Sequence, residues 1–585
     1  MVNSDRLRTR KLWAAELSKG FLMISSSYVC GIASEPLLYK TIGQALEDTA
    51  RAHPDNEALV DCQQNIRLTY AQLDQAVNNV AGNLHTLGIA KGDRVGIWSP
   101  NNAQWVLTQL ACARIGAVLV TINPAYRLSE LEYVLNKVSC DTLVVADSFK
   151  TSDYLGMLGE LAPEISESKA GELQAAKIPA LRNIVHLGQD HLPGMFCFSE
   201  FEKSINDDVI RELEQLAPEL QPDDPINIQF TSGTTGFPKG ATLTHCNILN
   251  NGYFVAETMR FTEKDRLCIP VPLYHCFGMV MGVLGCLTHG STMVFPAEAF
   301  EPESVLSVVQ AERCTALYGV PTMFIAELAH PNFADYDLSS LRTGIMAGAT
   351  CPRTTMESVM QDMHMSDVTI AYGMTETSPV SFQTGVGDPV EKRVSTVGRV
   401  HPHVQVKLID EDGRVVEKGQ RGELCTRGYS VMLGYWGDDE MTAESIDRAG
   451  WMHTGDLAVM DSEGYCDIVG RVKDMIIRGG ENVYPREIEE FLLRHPGVKD
   501  ASVFGVPDDK FGEQVAVWVM ANDGVEITED GIREFCDGQI AHYKIPHYVR
   551  IVDEFPMTVT GKIQKFIMRE KMSAELGLDQ GDSPT

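Results

Sequence analysis

The sequence is short of positive charge. It carries 49 Lys and Arg against 80 Asp and Glu, a formal net charge of −31. A general nucleic-acid binder, or a protein that adheres broadly to anionic membranes, needs clustered cations to meet phosphate, so neither class fits. An anionic ligand must instead be held by a local nest of amides and lysines set against the overall field. A membrane-length apolar run is also missing. The longest, near Phe277 to Leu287 (FGMVMGVLGCL), falls short of the about 20 residues that a span needs. No CxxC pair occurs among the 14 cysteines, which are scattered from Cys30 to Cys536. Many sit in apolar runs, as Cys112, Cys286 and Cys314 do. They read as small buried hydrophobes of a reducing compartment, not as disulfides or zinc ligands. Internal repeats and long low-complexity tracts are absent, which excludes solenoid and fibrous designs.

What the chain has is length and alternation. A chain of 585 residues predicts roughly three or four folding units. Its 44% hydrophobic and 22% charged residues are ordinary for a globular protein. From about Thr41 to Val145 helical and strand patterns alternate: Tyr70 to Leu87 has helical spacing, while Arg94 to Trp98, Ala117 to Ile122 and Thr142 to Val145 read as buried strands. The alternation resumes at Asn227, with strands expected at Leu267 to Val271, Thr292 to Phe295, Thr315 to Tyr318 and Val368 to Ala371. Together these predict an α/β class. Val404 to about Gly470 has short strands and turn signals, the mark of a β-rich subdomain. The last stretch, with a helix at Pro485 to Arg494 and strands at Ala501 to Val506 and Val515 to Met520, predicts a small α+β domain. The N-terminus holds Arg6, Arg8, Arg10, Lys11 and Lys19, then Ser25 to Ser27. That pattern can belong to a transit peptide, but Asp5 and Glu16 interrupt it, and a ragged extension is the expectation.

The densest chemistry lies at Thr231 to Gly240 (TSGTTGFPKG), directly after the expected strand Asn227 to Phe230. Thr244 then caps a helix from His245. A strand, a Gly-rich loop and a helix form a common phosphate grip. Gly233, Gly236 and Gly240 let amides converge on one anion. Thr231, Ser232, Thr234 and Thr235 add hydroxyls, Lys239 adds a point charge, and Phe237 and Pro238 lie between. A P-loop needs Gly, four residues, then Gly-Lys-Ser/Thr, and the spacing of Gly236 and Lys239 does not match it.

TSGTTGFPKG closely resembles the signature of the adenylate-forming superfamily, which includes acyl-CoA synthetases, carrier-loading adenylation domains and beetle luciferases. Further segments resemble that family in its order. By the resemblance, the loop holds the β- and γ-phosphates of ATP. Tyr372 of Tyr372-Gly373-Met-Thr375-Glu376 stacks on adenine, Thr375 meets the α-phosphate and Glu376 ligates Mg²⁺, a hard cation that favours carboxylate oxygen. Asp456 of the WMHTGD segment holds the ribose. Arg471 binds ribose or phosphate, and Lys473 is the pivot of a hinge at 471–474. Lys562 of the TVTGKIQK segment is the catalytic cation. Gly479 and Gly480 line the passage for pantetheine. His275 stands near the substrate carboxylate, and the Tyr318-Gly-Val-Pro321 and Ala347-Gly348-Ala349-Thr350 segments wall the acyl and adenine sites.

The resemblance implies an extension over 1–40, a large AMP-binding domain over 41–470, the hinge, and a small mobile domain over 475–585. The implied reaction joins a carboxylic acid to AMP with release of pyrophosphate, then passes the acyl group to coenzyme A. The alternative is transfer to a carrier protein in trans. THCNILNN, LYHC, VMLGYWG, KDMIIRGGEN and GKIQKF look most like medium-chain fatty acyl-CoA synthetases. With no acidic residue in the acyl-wall segments, an apolar acid is expected. Small-molecule acid, ATP and CoA are the expected partners, with no nucleic acid and no transmembrane segment; a homodimer is left open. Animal members of the resembled group are mitochondrial and bacterial ones cytosolic, so the cytoplasm is expected and the mitochondrial matrix is the alternative.

Overall fold

The computed structural model describes residues 25–231, 238–349, 351–479, 481–508, 510–558 and 563–578. Among these residues the chain forms four large sheets. The first has eight strands, and its central members Thr142–Val145, Arg94–Trp98, Val118–Thr121 and Pro225–Thr231 run parallel. The second has nine, with a parallel centre that includes Glu57–Asp61, Thr292–Phe295, Arg266–Cys268, Ala316–Gly319, Thr343–Ala347 and Asp367–Gly373. These strands are short apolar runs buried on both faces, as covered parallel sheets require. Helices Tyr70–Thr86, Ala103–Ile115 and His245–Thr258 contribute to one core shared with strands of both sheets. The first of these starts where the sequence says it should. Thr69 accepts the Gln72 amide and the Gln72 side chain returns to the Thr69 amide, closing a capping box.

The third sheet is antiparallel and occupies the expected β-rich stretch, in the order Tyr28–Cys30, Val404–Ile409, Arg421–Gly428, Met452–Met460, Cys466–Arg471. Its first strand comes from the N-terminal extension, so the part of 1–40 at Tyr28–Cys30 is an ordered edge strand and not a ragged tail. The reason is non-local: the Gly31 amide donates to Val404 O and the Ser27 amide to Val416 O, partners that local sequence does not reveal. The fourth sheet, built around Val498–Asp508 and Gly512–Ala521, has its own core of Ile476, Ile488, Val503, Val517, Ile532 and Val549.

One expectation at the phosphate loop is corrected. The loop does not run from a strand straight to a helix N-terminus. It joins Pro225–Thr231 to a second, antiparallel strand, Lys239–Thr244, with Thr231 opposite Lys239. Helix His245–Thr258 begins only at the far end of that return strand. Its N-terminal dipole, which acts only over the first turn, is therefore set apart from the loop by the whole return strand.

Two buried histidines make the fold acid-sensitive. His245 accepts the Ile42 amide at Nδ1 (3.2 Å), and His401 Nε2 bonds Gln383 Oε1 (2.9 Å). Burial pushes both down to about 3. An unfolded histidine titrates near 6.5, so above that value neither state takes up the proton. Between about 6.5 and 3 the unfolded chain binds protons that the folded one refuses, and stability falls by up to about 1.4 kcal/mol per pH unit for each histidine. Urea melts at pH 7 and pH 5 should show this loss, and His401→Gln should reduce it. Equal acid sensitivity in the variant would contradict the assignment.

Candidate active site

In open α/β sheets a ligand crevice forms outside the carboxyl ends of the parallel strands. Strand Asp367–Gly373 carries Tyr372 at that end, one residue before its last. Its phenol donates to Asp456 Oδ2 (2.5 Å), and Arg471 Nε donates to Asp456 Oδ1 (2.8 Å). Asp456 and Arg471 face each other across strands Met452–Met460 and Cys466–Arg471. Burial first, then the Asp456 charge, drives the Tyr372 phenol well above its usual range, so it is a fixed donor. The same carboxylate raises the Arg471 guanidinium. Gly373 is required here, because a Cβ would lie 1.8 Å from Pro379 O. Three residues that sequence put 99 positions apart (372 to 471) thus share one carboxylate.

Beyond this cluster the chain turns into Thr375–Thr377, where Thr375 and Glu376 are buried. Tyr435 donates its hydroxyl to Glu376 Oε1 (2.8 Å), and Thr231 approaches the same oxygen at 3.5 Å. Tyr435 also lies beneath the Lys239 ammonium, 5.3 Å from ring centre to Nζ, while Nζ meets Met441 Sδ at 3.0 Å. Pro238 is described beside Lys239; Ser232, Gly233, Thr234, Thr235, Gly236 and Phe237 lie outside the described residues. Sequence reasoning did not single out Tyr435. It sits on the two-residue strand Gly434–Tyr435, which pairs with Ala241 and Thr242 of the return strand. The signal available was its place in the GYWG segment, with no local clue to its target. Tyr435→Phe keeps the ring but removes the phenol. Loss of a hydrogen bond to a charged group predicts about a 10-fold or larger fall in adenylation rate. ATP–pyrophosphate exchange would read it, and an unchanged rate would remove Tyr435 from the site.

A second arm of the crevice is apolar. Phe277–Leu284 forms a π-helical segment whose side chains are all buried. Such segments recur where function shapes a helix. The Phe277 ring packs on Tyr318 at 5.3 Å, and the Tyr318 hydroxyl donates to Met281 O (3.3 Å). His275 caps this segment, with Nδ1 accepting the Phe277 amide (3.1 Å). Cys276 donates to Gln229 Oε1 (3.0 Å), which ties this arm to the strand Pro225–Thr231. Gly348 and Ala349 are exposed after strand Thr343–Ala347, and Gly348 adopts φ +91. That left-handed conformation suits glycine. Thr350 lies outside the described residues.

The C-terminal unit meets the third sheet through helix Pro485–Leu492. Arg421 stacks on Tyr484 (3.5 Å from guanidinium carbon to ring centre) and pairs with Glu487 Oε1 (2.7 Å). Arg486 approaches Asp467 (3.4 Å). Gly479 is held within the C-terminal unit, its amide donating to Phe511 O (2.8 Å). Lys473 follows Arg471 in the turn that leaves the third sheet. Gly480 and Lys562 lie outside the described residues.

A Gly-rich loop, a buried acid beside it and a Tyr–Asp–Arg cluster that joins the second sheet to the third invite comparison with known proteins. Residues 46–436 match the AMP-binding enzyme family, and residues 487–562 match the AMP-binding enzyme C-terminal domain. The chain belongs to the AMP-binding enzyme family. Bacillus subtilis YngI, which carries the name of an acyl-CoA synthetase, is 50% identical over 92% of this chain and 97% of its own. The human mitochondrial medium-chain acyl-CoA ligase ACSF2 is 44% identical over 94% of this chain and 91% of its own. Among solved structures, the anthranilate CoA ligase AuaEII with anthranoyl-AMP superposes with a TM-score of 0.79 at 26% identity, covering 92% of this chain and 99% of that one. A Mycobacterium tuberculosis fatty acyl-CoA synthetase gives 0.68 at 29% identity, with the same coverage.

The protein is therefore an adenylate-forming, AMP-producing acid–thiol ligase that uses ATP and CoA. The acid's carboxylate displaces pyrophosphate from ATP to give acyl-AMP, and the CoA thiol then displaces AMP to give acyl-CoA. The α/β fold expected from the alternation is the fold of these neighbours. No helix among the described residues is long and apolar enough to cross a membrane.

Proposed function

We propose that the acid is a medium-chain fatty acid and that the residues described above divide the work as follows. Tyr372 and Gly348 to Thr350 bound the adenine, Asp456 accepts the ribose hydroxyls, and Arg471 holds the nucleotide while it orients Asp456. Thr231 to Lys239 wrap the β- and γ-phosphates, and Thr375 donates to the α-phosphate. The reading of the acid rests on the Phe277–Leu284 arm, whose buried side chains are all uncharged, so it can hold an alkyl chain and has no partner for a second charge. The name of ACSF2, 44% identical to this chain, points to the same substrate class.

Mg²⁺ fits the Glu376 site. One oxygen of this buried carboxylate is held by Tyr435 and Thr231, and the other has no hydrogen-bond partner among the described residues. A divalent cation held there would neutralise charge on the phosphates. Tyr435 fixes the carboxylate's orientation, and Lys239 supplies a second positive charge close by. His275 caps the segment at the mouth of the apolar arm and aims the backbone there, without contact to the reacting atoms being needed.

After adenylation the small domain turns about 471–474, bringing Gly479 and Gly480 toward the incoming thiol. Lid-like motion of this kind excludes water from a reactive acyl-AMP. Cytoplasm is the proposed compartment, and the mitochondrial matrix, which ACSF2 carries in its name, is the alternative. A panel of C4 to C16 acids with ATP, Mg²⁺ and CoA tests the substrate. Highest kcat/KM in the middle of the range supports the proposal, whereas a preference for acetate-sized, aromatic or very long acids contradicts it.

A further inference from the structure

Three metal-ligating side chains face one another on the strand pair that carries Asp456. Glu423 and Cys425 are two residues apart on Arg421–Gly428, so both leave the same face of the sheet. Cys425 lies directly opposite His453 on Met452–Met460, and the register shift between Glu423 and Cys425 lets the carboxylate lean toward the pair. His453 Nδ1 is 3.2 Å from Glu423 Oε2 and 3.7 Å from Cys425 Sγ. The three ligand atoms lie within 4.8 Å of one another.

Pairing across the sheet explains why these residues are neighbours, and a His–Glu ion pair explains part of the contact. The orientation carries more. His453 Nε2 faces Asp447 Oδ2 at 3.9 Å. At that separation the two groups meet as a long ion-pair contact and not as a hydrogen bond, so Asp447 places a carboxylate behind the imidazole while Nδ1 faces the trio. Asp447 is itself held, because its Oδ1 accepts the Ala449 and Trp451 amides. Glu423 Oε1 accepts the Gly455 amide (3.3 Å), which turns Oε2 toward His453. Lys407, opposite Cys425 on the other neighbouring strand, leans over the Trp451 ring at 4.6 Å. Glu423 and His453 are thus each oriented by a partner outside the trio. Cys425 is fully buried, while Glu423 and His453 are half-buried, so the trio opens toward solvent on one side.

We propose that Glu423, Cys425 and His453 bind one divalent cation of the Zn²⁺ class, with water in the fourth position. One oxygen, one sulfur and one imidazole nitrogen select Zn²⁺ or Co²⁺ over Mg²⁺, which demands oxygen and octahedral geometry. This site is separate from the Mg²⁺ of the reaction. Binding exchanges the thiol proton for a metal–sulfur bond and releases that proton to solvent. His453 precedes Asp456 by three residues on the same strand, and Glu423 grips Gly455 between them, so an ion here would stiffen the strand segment that carries Asp456. The spacing rules that read these cysteines as plain hydrophobes could not find the site, because Cys425 and His453 are 28 residues apart and meet only across the sheet.

Titration of the purified full-length protein with Co²⁺ tests it. The expected result is one equivalent bound with a sulfur-to-cobalt charge-transfer band and the intense visible bands of four-coordinate cobalt, displaced by Zn²⁺. Cys425→Ser should abolish the charge-transfer band. Because Cys425 is buried, a folding failure of that variant is covered by His453→Gln at a half-buried position, which should weaken Co²⁺ binding at least about 10-fold. Absence of the band in the wild type overturns the proposal. So does a band that survives Cys425→Ser, or an affinity unchanged in His453→Gln, since either result assigns the cobalt to other thiols.

Discussion

Asp456→Ala should lower kcat/KM for ATP about 100- to 10,000-fold, most of it as a raised KM, while the protein stays folded. A carboxylate that accepts both ribose hydroxyls makes two charge-assisted hydrogen bonds, each worth about 1.5–3 kcal/mol. The wild-type carboxylate is held by Tyr372 on one oxygen and Arg471 on the other. The fold should survive because the Arg471 side chain is 60% exposed, so its unpaired charge can hydrate. Tyr372 loses its acceptor, but a neutral phenol left unpaired costs about 1–3 kcal/mol. The stability cost is therefore about that much and not the larger penalty of a fully buried broken ion pair. Asp456→Asn keeps an acceptor but loses the charge, and should fall between the two. Steady-state kinetics with varied ATP decide it. An unchanged KM for ATP, with loss confined to acyl transfer, would move Asp456 out of the ribose site.

Lys562→Ala should reduce acyl-AMP formation by at least about 100-fold and leave the reaction of supplied acyl-AMP with CoA close to wild type. Adenylation forces a carboxylate against an α-phosphate, so two anions must approach as charge builds on the leaving pyrophosphate. Removing one preorganised donor from such a centre costs about 10²–10³ in rate. Thiol attack on acyl-AMP involves no second anion from the acid, and the cation is not needed there. ATP–pyrophosphate exchange reads the first step, and mass spectrometry of acyl-CoA formed from synthetic acyl-AMP reads the second. Equal loss in both steps would contradict a cation dedicated to one of them.

The parts of the fold that were legible in the sequence are those set by local pattern. Arg94–Trp98 and Thr142–Val145 are short buried runs, and the helix Tyr70–Thr86 announces itself through its helical spacing. The return strand Lys239–Thr244 was missed because it begins inside the Gly-rich signature and runs straight into the capping residue of the next helix. Only its pairing with Pro225–Thr231 makes it a strand. Tyr435 was invisible for the same reason: its partner Glu376 is 59 residues away, and nothing near Tyr435 marks it as a ligand holder. Arg421 and Glu487 look like ordinary surface charges until the C-terminal unit is packed on the third sheet. Tyr372, Asp456 and Arg471 were nameable because each stands in a segment with its own signature. Their common carboxylate became visible only in three dimensions.

The central claim is that this chain joins an acid to AMP and then to CoA in two steps. Its most direct test is mass spectrometry of the products from purified protein, ATP, Mg²⁺, CoA and octanoate, first without CoA and then with it. The account predicts acyl-AMP and pyrophosphate without CoA, then acyl-CoA with one AMP released per thioester when CoA is added. Formation of ADP, or acyl-AMP that persists in the presence of CoA with no thioester, would contradict it.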